Sequence, residues 1–276
     1  MSYQFLQPST LSEATEILNN YEDVRLLAGG TDLLILLKDR SLDCKYVMDI
    51  KKIPELNVFG KSSSGLEIGG AVNLNKILSA DLVKGSYSVL KDGAAVHANS
   101  LLRNRATLIG NICNASPGGD MIPAAMVLNG VLEAVSIKGS RIIPLNTFFK
   151  GVKDHVLVKN EIITKISFPE KQGKGIYLKK KRIKGHDLAQ VGVAAFWAAS
   201  GELSFALGVV ATTPVFIGGL GPYDKNSLTK AQPDIEKEIL GRINPRNSTR
   251  SSKEYRIAMV KYFIGEIIKG WTEGVV

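Results

Sequence analysis

The segment Ala28-Gly29-Gly30-Thr31-Asp32 contains two adjacent glycines. It lies between two short apolar runs. Because glycine has no Cβ atom, its backbone can approach a ligand closely. The next apolar run predicts a helix, and the first N–H groups of a helix have no partner within it. Backbone N–H groups gathered in this way bind phosphate. The segment therefore predicts a phosphate site, although a tight strand-to-helix turn that needs a positive φ would have the same pattern.

A second polar and glycine-rich segment covers residues 102–120. Thr107 and Asn111 offer side-chain hydrogen bonds, and the backbone of Gly110 is open to a ligand. A sharp turn then presents Asp120, whose carboxylate could hold a pair of ribose hydroxyls. An elaborate surface loop is the alternative. Since the two segments lie roughly 80 residues apart, together they predict a long diphosphate ligand held between two subdomains.

The pattern of apolar residues predicts the elements that position these segments. Helical spacing predicts helices over residues 11–18, 33–38, 74–82 and 252–269, and shorter apolar runs predict strands over residues 24–28, 46–50, 66–70, 131–137, 162–168, 190–200 and 203–211. The first strand, helix and strand after residue 24 favour a compact βαβ unit. A Lys/Gly-rich connector at residues 170–175 indicates a domain boundary. We predict three regions, 1–53, 54–170 and 175–276.

The composition is that of an ordinary globular protein, with 45% hydrophobic and 22% charged residues among 276. No apolar run reaches the roughly 20 residues that cross a bilayer. The N-terminus lacks a basic segment followed by an apolar one, which a secretory signal would need. We therefore expect no membrane span and a cytoplasmic location.

Cys44 and Cys113 are the only cysteines in the sequence. An iron–sulfur cluster needs about four cysteine ligands, and the three histidines, His97, His155 and His186, are widely scattered. We expect no metal site in this chain, and free thiols that are buried or partly buried. Any redox metal must then belong to another chain.

A net charge of +9 raises the question of nucleic-acid binding. The densest basic cluster, residues 179–184, has no interleaved aromatic side chains to stack on bases. We expect no nucleic-acid contact and interpret the cluster as a solvated face, or as a patch that meets an acidic ligand or subunit. No Gly-x-Gly-x-x-Gly fingerprint occurs, so a Rossmann dinucleotide site is not supported.

The two segments together resemble a known family. Ala-Gly-Gly-Thr-Asp at 28–32 is combined with Arg-Asn at 103–104, Ala-Thr-Leu-Ile-Gly-Asn at 106–111, Ala-Ser-Pro at 115–117 and Asp120. This combination is similar to the FAD-binding medium subunit of molybdenum hydroxylases, the xanthine dehydrogenase and CO dehydrogenase family.

The resemblance extends from about residue 5 to residue 263, because residues 177–189 and 252–256 are similar to the C-terminal domain of that subunit. It implies an α+β chain with the FAD-binding fold of the vanillyl-alcohol oxidase (PCMH) type in two subdomains. A C-terminal CO-dehydrogenase-flavoprotein-like α+β domain would follow. FAD would lie extended between the first two subdomains.

The resemblance also implies which residues contact FAD. The first segment would cradle the pyrophosphate, the second would lie along the flavin and the diphosphate, and an apolar residue would cover the flavin ring. The implied contacts are Ala28, Gly29, Gly30, Thr31, Asp32, His97, Thr107, Leu108, Ile109, Gly110, Asn111, Asp120, Ile163 and Lys179. The family usually has a second glycine at the position of Ile109, so this side chain either points away from the flavin or perturbs its fit.

No catalytic acid–base pair is implied in this chain. In the family, hydroxylation takes place at a molybdopterin in a large subunit, and electrons cross two [2Fe–2S] clusters in a small subunit before they reach the flavin. The resemblance therefore implies a dimer of heterotrimers that passes electrons to an external acceptor. A stand-alone flavin oxidase of the same fold and a basic, non-enzymatic binding module are the alternatives. The sequence does not indicate the substrate or the acceptor.

Overall fold

The computed structural model describes residues 3–63 and 65–274, which form three units of sheet and helix. The elements of the first unit are β1 (Gln4–Leu6), α1 (Leu11–Asn20), β2 (Val24–Leu27), α2 (Leu33–Lys38) and β3 (Tyr46–Asp49). The three strands are parallel in the order β1-β3-β2, so β2 is an edge strand. The predicted βαβ unit is present, and β1 is an additional strand that the sequence pattern did not indicate.

The second unit is an antiparallel sheet with helices and a small hairpin. Its strands are β4 (Phe59–Ser62), β5 (Gly65–Gly69), β6 (Val131–Ser136), β7 (Gly139–Pro144), β8 (Phe149–Gly151), β9 (Asp154–His155) and β10 (Ile162–Phe168). Its α-helices are α3 (Leu74–Ser79), α4 (Ser88–Val96), α5 (Ser100–Arg103), α6 (Leu108–Cys113) and α7 (Met121–Val127). The sheet has the order β4-β5-β10-β6-β7, and β8 pairs with β9 beside it.

The third unit is a four-stranded antiparallel sheet with two long helices. Its elements are β11 (Gly173–Lys180), β12 (Val191–Ala198), β13 (Leu203–Gly208), β14 (Val215–Leu220), α8 (Lys225–Arg242) and α9 (Lys253–Glu273), with the strands in chain order. The described residues therefore form separate sheets of an α+β protein, and no continuous Rossmann sheet joins them. The predicted hairpin and the predicted C-terminal helix are both present.

One hydrophobic core extends across the second and third units. It joins Leu66 and Phe168 of the second unit to Tyr177 and Phe196 of the third. Helix α7 lies within this core, and every one of its residues is buried. Packing on both sides therefore fixes the chain that leads from α6 into α7.

The second polar segment is not the elaborate surface loop that the sequence left open as an alternative, because α5 and α6 lie within it. Leu108, Ile109 and Ile112 bury one side of α6 in the core. These apolar residues have helical spacing, but the glycines and polar residues between them concealed it. Within the described ranges, no helix is long and apolar enough to cross a membrane.

Candidate functional site

A cleft of about 640 Å³ separates the first unit from the second. Strand β2, the first glycine segment and α2 form one wall, and residues 106–114 and 155–163 form the other. Most of the implied contact residues line it: Ala28, Gly29, Gly30, Thr31, Asp32, His97, Thr107, Ile109, Gly110, Asn111 and Ile163. Leu108, Asp120 and Lys179 do not line it. The two sequence segments therefore meet across one cleft, as predicted.

The first segment leaves a row of backbone donors without partners. The N–H groups of residues 29–32 donate no hydrogen bond to any other group in the described part of the chain. Gly30 has a φ of 74°, a conformation that glycine adopts without strain. A Cβ atom on Gly29 would collide with the carbonyl oxygen of Arg105 from the opposite wall. This segment therefore combines open amides with a close backbone approach between the walls.

Asp32 joins the two walls through its side chain. Its Oδ1 accepts a hydrogen bond of 2.9 Å from Nδ2 of Asn114, and Oδ1 of Asn114 accepts one of 2.5 Å from Nζ of Lys153. Asp32 does not cap α2 with its side chain. It therefore holds the first segment against the second.

The second segment is shaped by the start of α6. Thr107 caps this helix, with its Oγ1 accepting from the N–H of Gly110 at 2.9 Å. Oδ1 of Asn111 accepts from the N–H of Met121 at 3.3 Å, which ties α6 to α7. Ile109 is only 5% exposed and packs into the core while it also lines the cleft. Its bulk is thus accommodated mainly by the core.

A buried polar cluster lies behind the cleft, formed by His97, Asp120, Tyr177 and Lys179. Oδ2 of Asp120 is 2.9 Å from Nζ of Lys179 and 3.1 Å from Nδ1 of His97, and Oδ1 accepts from the Tyr177 hydroxyl at 3.2 Å. Burial, followed by the negative charge of Asp120, raises the pKa of Tyr177. His97 is the member of the cluster that lines the cleft.

Lys179 corrects our interpretation of the basic cluster as one solvated face. Its side chain is 2% exposed, and Nζ also donates to the carbonyl oxygen of Val96. Farther along, Arg182 forms an ion pair with Asp187 at 2.8 Å. The alternation of strand β11 turns Lys179 inward, which the run of basic residues did not reveal.

His155 and Cys113 are among the residues of the cleft wall that sequence reasoning missed. The His155 ring stacks on Phe148 at 5.2 Å, and its Nδ1 is buried without a partner among the described residues. Burial lowers the pKa of His155 and raises that of Cys113 to about 12. A lone histidine carried no sequence signal, whereas Cys113 lay inside the second segment and could have been included.

The comparison with known proteins decides the family. Residues 1–171 match the family model described as the FAD binding domain in molybdopterin dehydrogenase. The chain belongs to this family. The glyceraldehyde dehydrogenase medium chain of Sulfolobus acidocaldarius is 32% identical over 94% of each chain. The xanthine dehydrogenase FAD-binding subunit of Escherichia coli O157:H7 is 28% identical over 94% of this chain and 92% of its own.

Solved structures agree with this assignment to the molybdopterin dehydrogenase family. Carbon monoxide dehydrogenase from Hydrogenophaga pseudoflava matches with a TM-score of 0.86 and 25% identity, over 96% of each chain. The fold is therefore the PCMH-type FAD-binding fold with its C-terminal domain. The chain is an FAD-binding subunit of an oxidoreductase, as the resemblance implied.

The residues of the cleft fit FAD. The open amides of the first segment share the cleft with Ile109, whose N–H also donates to no other described group. Amides of this kind are suitable donors to a diphosphate. Asp120 and Lys179 do not line the cleft, and they form an ion pair within the buried cluster. When bound, FAD supplies the redox chemistry, and the protein supplies binding, orientation and electrostatics.

Proposed function

We propose that this chain is the electron-transfer subunit of a molybdenum-containing hydroxylase. It receives electrons from two [2Fe–2S] clusters of a small partner subunit and passes them from FAD to an external acceptor. Substrate is oxidised at the molybdopterin of a large partner subunit. The subunits assemble as a dimer of heterotrimers, and a cytoplasmic location remains a prediction.

The observation that carries this proposal is that only one of the two cysteines lines the cleft. Cys44 lies in a small core with Val47 and Leu37, and Cys113 lies in the cleft wall. Two cysteines cannot supply the roughly four thiolates of an iron–sulfur cluster. Electrons for the flavin must therefore come from a bound substrate or from another chain.

The relatives support the second source of electrons. Their names describe a medium chain and an FAD-binding subunit, which are parts of larger enzymes. The solved carbon monoxide dehydrogenase is described as lacking the Mo-pyranopterin moiety of its molybdenum cofactor. A molybdenum partner subunit is therefore consistent with both kinds of comparison.

Purification from the native source tests this proposal. We expect this chain to co-purify with a cysteine-rich small chain and a large chain, with molybdenum and iron present by metal analysis. Substrate added without an external acceptor should bleach the flavin absorbance of the complex, and should leave that of the isolated chain unchanged. An isolated chain that oxidises a small substrate without molybdenum or iron would instead support the stand-alone oxidase.

A matched pair of variants separates flavin-dependent steps from the others. Gly29→Ala disturbs the cleft, whereas nothing lies within 4 Å of a Cβ atom added at Gly60. In the Gly29→Ala complex, we expect substrate still to reduce the iron–sulfur clusters. Electron transfer from the complex to the external acceptor should be lost. The Gly60→Ala complex should behave as wild type. Equal acceptor reduction by both complexes would show that electrons leave by a route other than this cleft.

A further inference from the structure

His97 lies where the buried cluster meets the cleft. It follows the last residue of α4, and the guanidinium of Arg103 donates to its backbone carbonyl at 2.9 Å. Its side chain is 20% exposed and lines the cleft, while Nδ1 faces Asp120. The other ring nitrogen, Nε2, makes no hydrogen bond to any described residue. His97 is therefore held on one edge and available to a ligand on the other.

We propose that Asp120, held in place by Lys179 and Tyr177, fixes the orientation and tautomer of His97 so that Nε2 accepts a hydrogen bond from FAD. The inference rests on the proposed function, since it assumes that FAD occupies this cleft. Asp120, Lys179 and Tyr177 are positioning residues, because they act on the cofactor only through His97. This role differs from the direct contact of Asp120 and Lys179 with FAD that the sequence resemblance implied.

The donors around Asp120 determine the tautomer. Nζ of Lys179 and the hydroxyl of Tyr177 both donate to the carboxylate. A carboxylate accepts and cannot donate, so the nearby Nδ1 of His97 must carry its proton toward Asp120. In a neutral imidazole the other nitrogen is then an acceptor. With a neutral ring, Nε2 would therefore match a hydroxyl or N–H donor of FAD and disfavour a phosphate oxygen.

The cluster also connects the third unit to the cleft. Tyr177 and Lys179 both lie on β11, whereas His97 and Asp120 belong to the second unit. Asp120 is only 3% exposed, so water does not compete effectively for these hydrogen bonds. A shift of β11 would consequently alter the orientation of His97 without any direct contact between β11 and the cofactor.

Titration of FAD into the full-length apo chain tests the role of His97. We expect His97→Ala to raise the FAD dissociation constant by about tenfold, the effect of one lost hydrogen bond. The paired variant Asp120→Asn/Lys179→Met removes both buried charges together, so it leaves no unpaired charge in the core. We expect it to raise the dissociation constant by about fivefold, because His97 remains but is no longer fixed. Lys165→Met, which removes an ion pair with Glu67 at 3.0 Å outside the cleft, is the control and should change nothing.

A double-mutant comparison separates positioning from general stability. When His97 is already alanine, the paired variant should change the dissociation constant by less than about twofold, because its effect passes through His97. An unchanged affinity in His97→Ala would overturn the inference. So would a paired variant that weakens binding equally with and without His97. A wild-type chain that binds no FAD would overturn the assignment of the cleft itself.

The tautomer can be observed directly. In ¹⁵N-histidine-labelled protein the His97 signal is the one that His97→Ala removes, and wild type should show a protonated Nδ1 and an unprotonated Nε2 at neutral pH. The paired variant should show a mixture of tautomers. An Nε2-protonated ring in the wild type would contradict the inference even if every binding constant agreed.

Discussion

Gly29 and Gly30 are adjacent, but they serve different purposes. Gly30 provides a backbone conformation with positive φ, which the alternative of a tight strand-to-helix turn also required. Gly29 provides space for the opposite wall, because the Arg105 carbonyl occupies the place of a Cβ atom. The second purpose is invisible in the sequence, since Arg105 is remote from Gly29 along the chain.

We expect Gly29→Ala to raise the FAD dissociation constant by about tenfold or more, a change worth ~1.4 kcal/mol or above. The added methyl group must push the first segment away from Arg105 and so move the open amides. Fluorescence titration with FAD measures the change. Gly60→Ala, which meets nothing within 4 Å, is the control, and equal affinities for the two variants would contradict the prediction.

The thiol of Cys113 makes stability depend on alkaline pH. Burial raises its pKa in the folded chain to about 12, above the value of 9.0 for an exposed cysteine. The unfolded state therefore loses this proton first, and the free energy of unfolding should fall as the pH rises above 9. Urea unfolding between about pH 8 and pH 11 should show a smaller decline for Cys113→Ala. Tyr177, whose pKa is also raised, should leave part of the slope in place, and identical slopes for variant and wild type would be evidence against burial of the thiol.

Helix α6 is the element in which cofactor binding and core packing overlap. One of its sides packs into the core, and its first turn faces the cleft. From the sequence, Ile109 was expected either to point away from the flavin or to perturb its fit. It lines the cleft and is also a core residue, so its removal should destabilise the fold.

We expect Ile109→Gly to lower the free energy of unfolding by roughly 3–5 kcal/mol, since it removes a buried side chain and adds a glycine to a helix. Ile109→Val is the matched control and should cost only about 1 kcal/mol. Urea denaturation followed by circular dichroism measures both. A glycine variant as stable as the valine variant would show that the core does not depend on this side chain.

Arg256 anchors helix α9 to the third sheet. It is 2% exposed and donates to the carbonyl oxygens of Gln190 and Val209 and, at 2.7 Å, to the Ser248 hydroxyl. Burial lowers the pKa of its guanidinium. Val209 has a φ of 66°, which is unusual for a β-branched residue. The Arg256 hydrogen bonds help to hold this strained turn.

We expect Arg256→Met to reduce stability by about 2–4 kcal/mol, because buried carbonyl groups lose their donors. Arg242→Met removes an exposed pair with Glu238 one helical turn away, and it should cost about 0.5 kcal/mol or less. Thermal unfolding of the two variants provides the comparison. Similar melting temperatures would argue that water replaces the guanidinium without loss.

At the scale of the whole molecule, the third unit completes the core of the second. Tyr177, Ala194, Phe196 and Ala206 belong to the same hydrophobic cluster as the second unit. The division into residues 1–53, 54–170 and 175–276 remains a prediction about sequence regions. The shared core indicates that the last two are stable only together.

A fragment of residues 1–170 should therefore lose its defined tertiary structure. Without β11–β13, apolar side chains around α7 become exposed to water, at a cost of about 25 cal/mol per Å². We expect strong binding of a hydrophobic dye and a broad, non-cooperative urea transition, in contrast to the full chain. A sharp transition and weak dye binding would show that the FAD-binding units fold independently.

Local sequence patterns were sufficient for much of this protein. The alternation and helical spacing of apolar residues predicted the βαβ unit, the hairpin of β12 and β13, and α9. The glycine and polar residues of the two segments predicted the cleft, because open backbone and hydrogen-bonding side chains are local properties of the chain. The resemblance rested on the same segments, and the family comparison confirmed it.

The tertiary structure alone decided which side chains face one another. His97, Asp120 and Lys179 were all implied as cofactor contacts, yet only His97 lines the cleft. Their arrangement depends on how β11 packs beside α4 and α7, and no local pattern encodes such a packing. The same holds for His155, which the β8–β9 hairpin brings to the cleft wall. Side-chain pairing over long separations follows from the minimum free energy of the whole core, which a linear pattern cannot express.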